Sequence, residues 1–158
     1  MKFNTAGVVY NLSTEQELPT TIEWAWNFLS DPKNLGTITP DSMGFEIISG
    51  DDKSMYPGQI IQYKIKLFPG VKLTWVTEIS HVKHQEYFVD EQRFGPYAFW
   101  HHKHFIKETK EGIVMYDSID YKVPGWIFRK WIHAVLVQPK LKSIFEYRKI
   151  ALEAMFKK

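Results

Sequence analysis

From Gly44 to Tyr121 the chain is written almost entirely in a two-residue period, and after Pro124-Gly125 the period becomes that of a helix. Ile61, Tyr63, Ile65 and Leu67 alternate with Gln62, Lys64 and Lys66, and Leu73, Trp75, Thr77 and Ile79 alternate with Lys72, Thr74 and Glu78. Such alternation marks antiparallel strands with one buried and one wet face. Turn signals at Gly50-Asp51-Asp52, Pro69-Gly70, His84 and Gly95-Pro96 divide the stretch. Downstream, Ile127, Trp131, Val135, Leu141, Phe145, Leu152 and Met155 form one apolar stripe at helical spacing, which Pro139 is expected to kink. A sheet of this kind and one long amphipathic helix bury their apolar faces against each other.

Ahead of the sheet, Val8 to Leu18 reads as a first strand stopped by Pro19. Thr20 with Glu23 three residues on is a capping box, opening a helix through Leu29 whose inner face carries Ile22, Trp26 and Leu29. Asp31-Pro32 starts a second helical turn that Thr37-Ile38-Thr39-Pro40 ends. The expected order is strand, two short helices, six strands and a long C-terminal helix: an α+β chain of about seven strands. With 158 residues and no repeat or low-complexity linker, residues 1–158 read as a single domain.

The chemistry concentrates on Phe88 to Phe105, where two strand-like segments meet at Gly95-Pro96 and carry three of the six histidines. Alternation places Trp100, His102, His104 and Ile106 on one face, and Phe99, His101, Lys103 and Phe105 on the other. Ile113 to Tyr121 should pair antiparallel with this strand, bringing Ile113, Met115, Asp117, Ile119 and Tyr121 to the same inner face. A turn centred between Thr109 and Lys110 sets His102 opposite Asp117, Trp100 opposite Ile119 and His104 opposite Met115. A turn near Val82-Lys83 sets Trp75 opposite Asp90 and Leu73 opposite Gln92, with Phe88 on the same face.

Composition narrows the function classes. A net charge of +2, from 20 basic and 18 acidic residues spread along the chain, leaves no basic patch for nucleic acid, and Lys157-Lys158 reads as a solvated end. No cysteine is present, so thiol nucleophiles and thiolate metal sites are excluded. No apolar run is long enough for a signal peptide or a membrane span, and the expectation is a soluble, cytoplasmic protein. The aromatic share of 16% suits either a filled core or the walls of a cavity.

The order of elements, with Asp31-Pro32-x-Asn34-Leu35, Ile38-Thr39-Pro40, Phe88-x-Asp90-x-Gln92-x-x-Gly95-Pro96-Tyr97, Trp100-x-His102-x-His104 and Leu141-x-x-Ile144-Phe145-x-Tyr147-Arg148, resembles the bacterial ligand-binding branch of the START-like (SRPBCC) superfamily. That superfamily includes polyketide cyclase and dehydrase proteins, coenzyme Q-binding proteins and plant pathogenesis-related allergens. The resemblance runs from about Val8 to Phe156 and implies a helix-grip fold, a curved antiparallel sheet wrapped around a long C-terminal helix with a cavity between them. Asp90, Gln92, Trp100, His102 and His104 match the branch's strand motif, which marks a site and names no reaction.

Three chemistries fit these residues. In a binding protein, Trp75, Trp100, Met115 and Phe145 wall a cavity for a small hydrophobic molecule, oriented by Asp90, Gln92, His102, His104 and Asp117, without a cofactor. In a cyclase or dehydratase, His102 and Asp117 act as an acid–base couple beside a carbonyl. His102-x-His104 with Asp90 or Asp117 has a metal-chelating spacing, yet such spacings arise often by chance, and no metal is the expectation. A domain acting through its surface would need an exposed apolar patch, which the sequence does not clearly show. Tyr63, Tyr97 and Arg148 fit either pocket or structural roles, Arg148 best as an anchor between helix and sheet.

Overall fold

The computed structural model describes residues 1–68 and 70–156. Pro69 of the Pro69-Gly70 turn, and Lys157-Lys158, lie outside the described residues, as does the inward placement of the Leu67 side chain. Eight strands form one antiparallel sheet: β1 (Lys2–Ala6), β2 (Val9–Leu18), β3 (Glu46–Ser49), β4 (Gln59–Phe68), β5 (Val71–Lys83), β6 (Tyr87–Phe94), β7 (Phe99–Thr109) and β8 (Gly112–Lys122). Their spatial order is β1-β2-β8-β7-β6-β5-β4-β3. The six strands after Gly44 are those expected, and β1 is an addition, since Lys2–Ala6 is nearly all exposed and carries no alternation to read. It pairs with β2 through the Gly7 turn.

Between β2 and β3 lie α1 (Ile22–Leu29) and two 3-10 segments, Pro32–Ile38 and Asp41–Met43. The cap of α1 is Thr21 rather than Thr20, its hydroxyl accepting from the Trp24 amide, while Asp31 caps the following turn through the Lys33 amide. Ala25, Trp26 and Leu29 bury the inner face of α1.

The C-terminal helical run comprises α2 (Arg129–Ile132), a π segment (His133–Val137) and α3 (Gln138–Ala154). The expected continuous buried stripe is corrected here. Leu141, Phe145 and Leu152 are buried against the sheet, whereas Ile127, Trp131 and Val135 are exposed. Pro139 lies in the first turn of α3, directly after the π segment of a continuous helical run. The irregularity falls one turn earlier, where the proline ring would crowd the Val135 carbonyl and offers it no donor. The wider π turn changes the phase of the stripe, so the apolar positions before it no longer face the sheet.

Strand parity holds while register differs. The β7–β8 hairpin turns at Lys110-Glu111, pairing Thr109 with Gly112, so His104 faces Asp117, His102 faces Ile119 and Trp100 faces Tyr121. This is a two-residue shift from the expected pairing, which keeps every side chain on its expected face. Gly112 has φ +144°, and a Cβ there would run into the Leu18 carbonyl. In β5–β6 the longer turn His84-Gln85-Glu86, with an irregularity at Ser80, sets Asp90 opposite Ile79 and Gln92 opposite Thr77. Trp75 and Leu73 are therefore not their direct partners.

Candidate functional site

A cavity of about 170 Å³ lies between the inner face of the sheet, α3 and the segments after α1. Ile61, Ile65, Trp75, Thr77 and Ile79 come from β4 and β5; Leu141, Ile144, Phe145 and Arg148 come from α3. Leu35, Ile38, Met43 and Phe45 close the opposite side. Alternation on the strands and three- or four-residue spacing on the helix deliver these side chains to one hollow.

Six of the sequence-proposed residues line it: Trp75, Asp90, Trp100, His102, His104 and Phe145. Gln92, Met115 and Asp117 stand off its surface. Gln92 donates to the Tyr97 carbonyl at 2.7 Å and accepts from the Tyr97 amide at 3.1 Å, folding over Gly95. A Cβ on Gly95 would meet Gln92 Oε1 at 2.6 Å, which explains the glycine. Gln92 thus holds Tyr97, which does line the cavity, in an edge-on contact with Trp75. Met115 packs beneath Arg148, whose Nη2 lies 4.0 Å from the sulfur. Asp117 is 1% exposed and stands behind the two imidazoles.

These charged groups form one network. His102 Nε2 donates to Asp117 Oδ1 at 3.1 Å, and His104 Nε2 donates to Asp90 Oδ2 at 2.8 Å. The second nitrogen of each ring faces the other carboxylate: His102 Nδ1 is 3.4 Å from Asp90 Oδ2, and His104 Nδ1 is 2.7 Å from Asp117 Oδ1. That last contact is close but poorly directed, and His104 Nδ1 makes no hydrogen bond. Arg148 Nη1 lies 3.4 Å from Asp117 Oδ1, and the Trp100 indole donates to Asp90 Oδ1 at 3.3 Å.

The protonation states follow from these neighbours. Burial opposes the Asp117 carboxylate, but Arg148 and the two histidines outweigh it and hold the group well below the usual carboxylate range. Burial likewise opposes ionised Asp90, and His102 and His104 again prevail. The histidines move in opposite directions. His102 is pulled down to about 4 by burial and by the adjacent His104, while His104 is raised because the close Asp117 carboxylate and its hydrogen bond to Asp90 overcome burial. Arg148 and the raised His104 thus face the two carboxylates, while His102 favours its neutral form.

Asp90, His102 and His104 also present one donor atom each, all within 4.8 Å of one another, a set with the composition to hold a metal ion. A cation there would have to displace the proton that His104 Nε2 shares with Asp90 Oδ2. In the structure these groups face one another, His104 bonded to Asp90 and His102 Nδ1 3.4 Å from the same carboxylate.

Sequence reasoning left several wall residues unassigned. Tyr63 hydrogen-bonds to Thr77 at 3.1 Å and stacks on Trp75, and burial raises both the Tyr63 and Tyr97 phenols, keeping them neutral. Leu35 and Ile38 sit in the Asp31-to-Pro40 motif, whose spacing gave a helical turn but no direction for its side chains. Outside the cavity, Tyr121 and the buried His133 of the π segment share a 2.8 Å hydrogen bond that no pattern announced.

Comparison with solved structures places this architecture among known ones. A protein from Thermus thermophilus, TTHA0849, superposes with a TM-score of 0.69 at 13% identity, over 93% of this chain and 99% of its own. CV1439 from Chromobacterium violaceum gives 0.70 at 12% identity, over 92% and 96%. Ara h 8.0201 gives 0.65 at 13% identity, over 93% and 97%. At these identities the likeness is one of fold. No family model and no curated protein sequence matches the chain. The protein has a helix-grip α+β architecture, a fold it shares with Ara h 8.0201.

Proposed function

We propose that residues 1–158 are one START-like domain of the polyketide cyclase/dehydrase-like, ligand-binding branch, acting in the cytoplasm as carrier or sensor of a small hydrophobic molecule. The observation that carries this reading is the cavity itself: about 170 Å³ of largely apolar hollow with Asp90, His102 and His104 at its wall. Apolar surface supplies affinity and a few convergent polar groups supply orientation. A cavity of about 150 Å³ accommodates a benzene-sized guest. The class favoured is therefore a one- or two-ring molecule with a hydroxyl or carbonyl group, such as a quinone head or polyketide-like ring. A lipid chain would extend beyond the hollow.

The test is titration with indole and phenol, followed by tryptophan fluorescence and calorimetry, on the wild type and on Ile61→Trp, which fills the hollow. Saturable one-to-one binding that Ile61→Trp abolishes, with the fold intact, supports the reading. Binding that is absent, or unchanged in Ile61→Trp, overturns it.

A second reading rests on the two adjacent imidazoles whose proton affinities are driven apart. His102, lowered and held by Asp117, has the character of a base, and His104, raised beside two carboxylates, that of an acid, the pairing a cofactor-independent cyclase or dehydratase needs. His102→Gln separates the two readings. Unchanged affinity with loss of turnover on a polyketide-like substrate assigns an enzyme, and unchanged affinity with no turnover in either form assigns a binding protein.

A further inference from the structure

The segment between β8 and α3 leaves its apolar side chains in water. Trp126 is 88% exposed, Ile127 84%, Phe128 68% and Trp131 61%, and Val135 and Leu136 continue the surface along the helix. Ile127, Trp131 and Val135 are spaced four apart, so on a helical path they share one side. This is the stripe the π turn has swung away from the sheet. Single exposed apolar residues need no explanation, but a run of two indoles, a phenyl ring and aliphatic chains marks a contact surface.

Charge identifies the partner. From Tyr121 to Phe145 the chain contains no Asp or Glu, while Lys122, Arg129, Lys130, Lys140 and Lys142 supply five cations. The bounding acids are Asp120, bonded to Lys103 at 2.8 Å on β7, and Glu146. Elsewhere acidic and basic residues are interspersed, and the whole chain is only +2. Indole and phenyl rings alternating with Lys and Arg suit the boundary between anionic headgroups and acyl chains, where rings embed and cations meet phosphates. A second copy of this surface would bring cations against cations. No helix among the described residues is long and apolar enough to cross a membrane, so the segment would lie on the bilayer.

We infer that Trp126 to Leu136 is a docking surface for an anionic lipid bilayer, with the rings inserted and Lys122, Arg129 and Lys130 against the phosphates. The inference is independent of what the cavity holds, although a carrier that rests on a membrane is placed to exchange an apolar guest with it.

The test is co-sedimentation of the full chain with vesicles of phosphatidylcholine alone and with about one-third phosphatidylglycerol, the surface potential being the variable. Strong partitioning onto the anionic vesicles, a blue shift of tryptophan emission and loss of binding at high salt are expected. Lys122→Gln with Lys130→Gln should weaken partitioning roughly thirtyfold, from about 1 kcal/mol for each cation near an anionic surface. Trp126→Ser with Phe128→Ser should weaken it more than tenfold at unchanged thermal midpoint, since both rings are solvent-exposed. Equal partitioning onto neutral and anionic vesicles, or none onto either, overturns the inference. So does sedimentation equilibrium showing a dimer that the Trp126→Ser, Phe128→Ser variant dissociates.

Discussion

Arg148 reaches from the C-terminal helix to within 3.4 Å of Asp117 on the central strand β8, and both side chains are buried. Asp117 in turn accepts from His102, so the helix is tied through Asp117 to the cavity network, and Arg148 itself also lines the cavity. The bond from Gln16 Nε2 to the Lys149 carbonyl, at 2.9 Å, ties the adjacent residue of the helix to β2. The sheet and helix are joined by specific polar links as well as by apolar packing.

Removing one partner of a buried ion pair leaves the other uncompensated. Arg148→Met should cost about 3–5 kcal/mol in urea unfolding. Adding Asp117→Asn in the same chain should restore part of that loss, because the stranded charge is gone. An Arg148→Met variant within about 0.5 kcal/mol of wild type would mean the pair is not buried as described.

Stability should vary with pH in a peaked manner. His102 has a folded value near 4, below its ordinary 6.5, so between these values the unfolded chain binds more protons and stability rises with pH. His104 is raised above 6.5, so its contribution is fully present below that pH and is lost as pH climbs through the folded value. Asp90 and Asp117 are lowered, and their contribution disappears as pH falls through their folded values in acid. Urea midpoints across pH should peak near neutrality and decline on both sides. His104→Gln should flatten the alkaline decline, and an unchanged slope there would contradict the assignment of the proton to His104.

Gln92→Leu deletes both bonds to the Tyr97 backbone and leaves a carbonyl and an amide to find other partners. The expected cost is about 1–3 kcal/mol, together with weaker binding of aromatic guests as Tyr97 leaves the cavity wall. A variant with lower stability and undiminished affinity would restrict Gln92 to the turn alone.

Asp90, His102 and His104 have metal-site composition, and in the structure both imidazoles face the Asp90 carboxylate. Protein prepared without chelator should contain zinc or iron well below one equivalent by mass spectrometry of metals. One equivalent of either, lost in His104→Gln, would reassign the site.

The inner face of the sheet was legible because parity survives a change of register: Trp100, His102, His104, Ile106, Met115 and Asp117 are buried together under either pairing. Which groups touch was not legible. The Lys110-Glu111 turn and the irregularity at Ser80 shift partners by amounts that alternation does not encode. Those shifts set Asp117 behind the imidazoles and Asp90 before them. The same limit explains Ile127, Trp131 and Val135, whose spacing gave a buried stripe while the π turn ahead of Pro139 decided which way it faced. Tyr97 reached the cavity through the turn between β6 and β7, for which no period exists, and Leu35 through a 3-10 turn too short to show a face.

The most direct measurement is calorimetric comparison of phenol and toluene, equal in ring size and different by one hydroxyl, on the wild type and on Asp90→Asn with His104→Gln. If the cavity pairs apolar walls with a polar contact at Asp90 and the imidazoles, phenol binds the wild type more than tenfold more tightly than toluene, one hydrogen bond to a charged group being worth about 1.5–3 kcal/mol. The double variant then retains toluene binding and loses that preference. Equal affinities in the wild type, or a preference that survives the double variant, would contradict the site described.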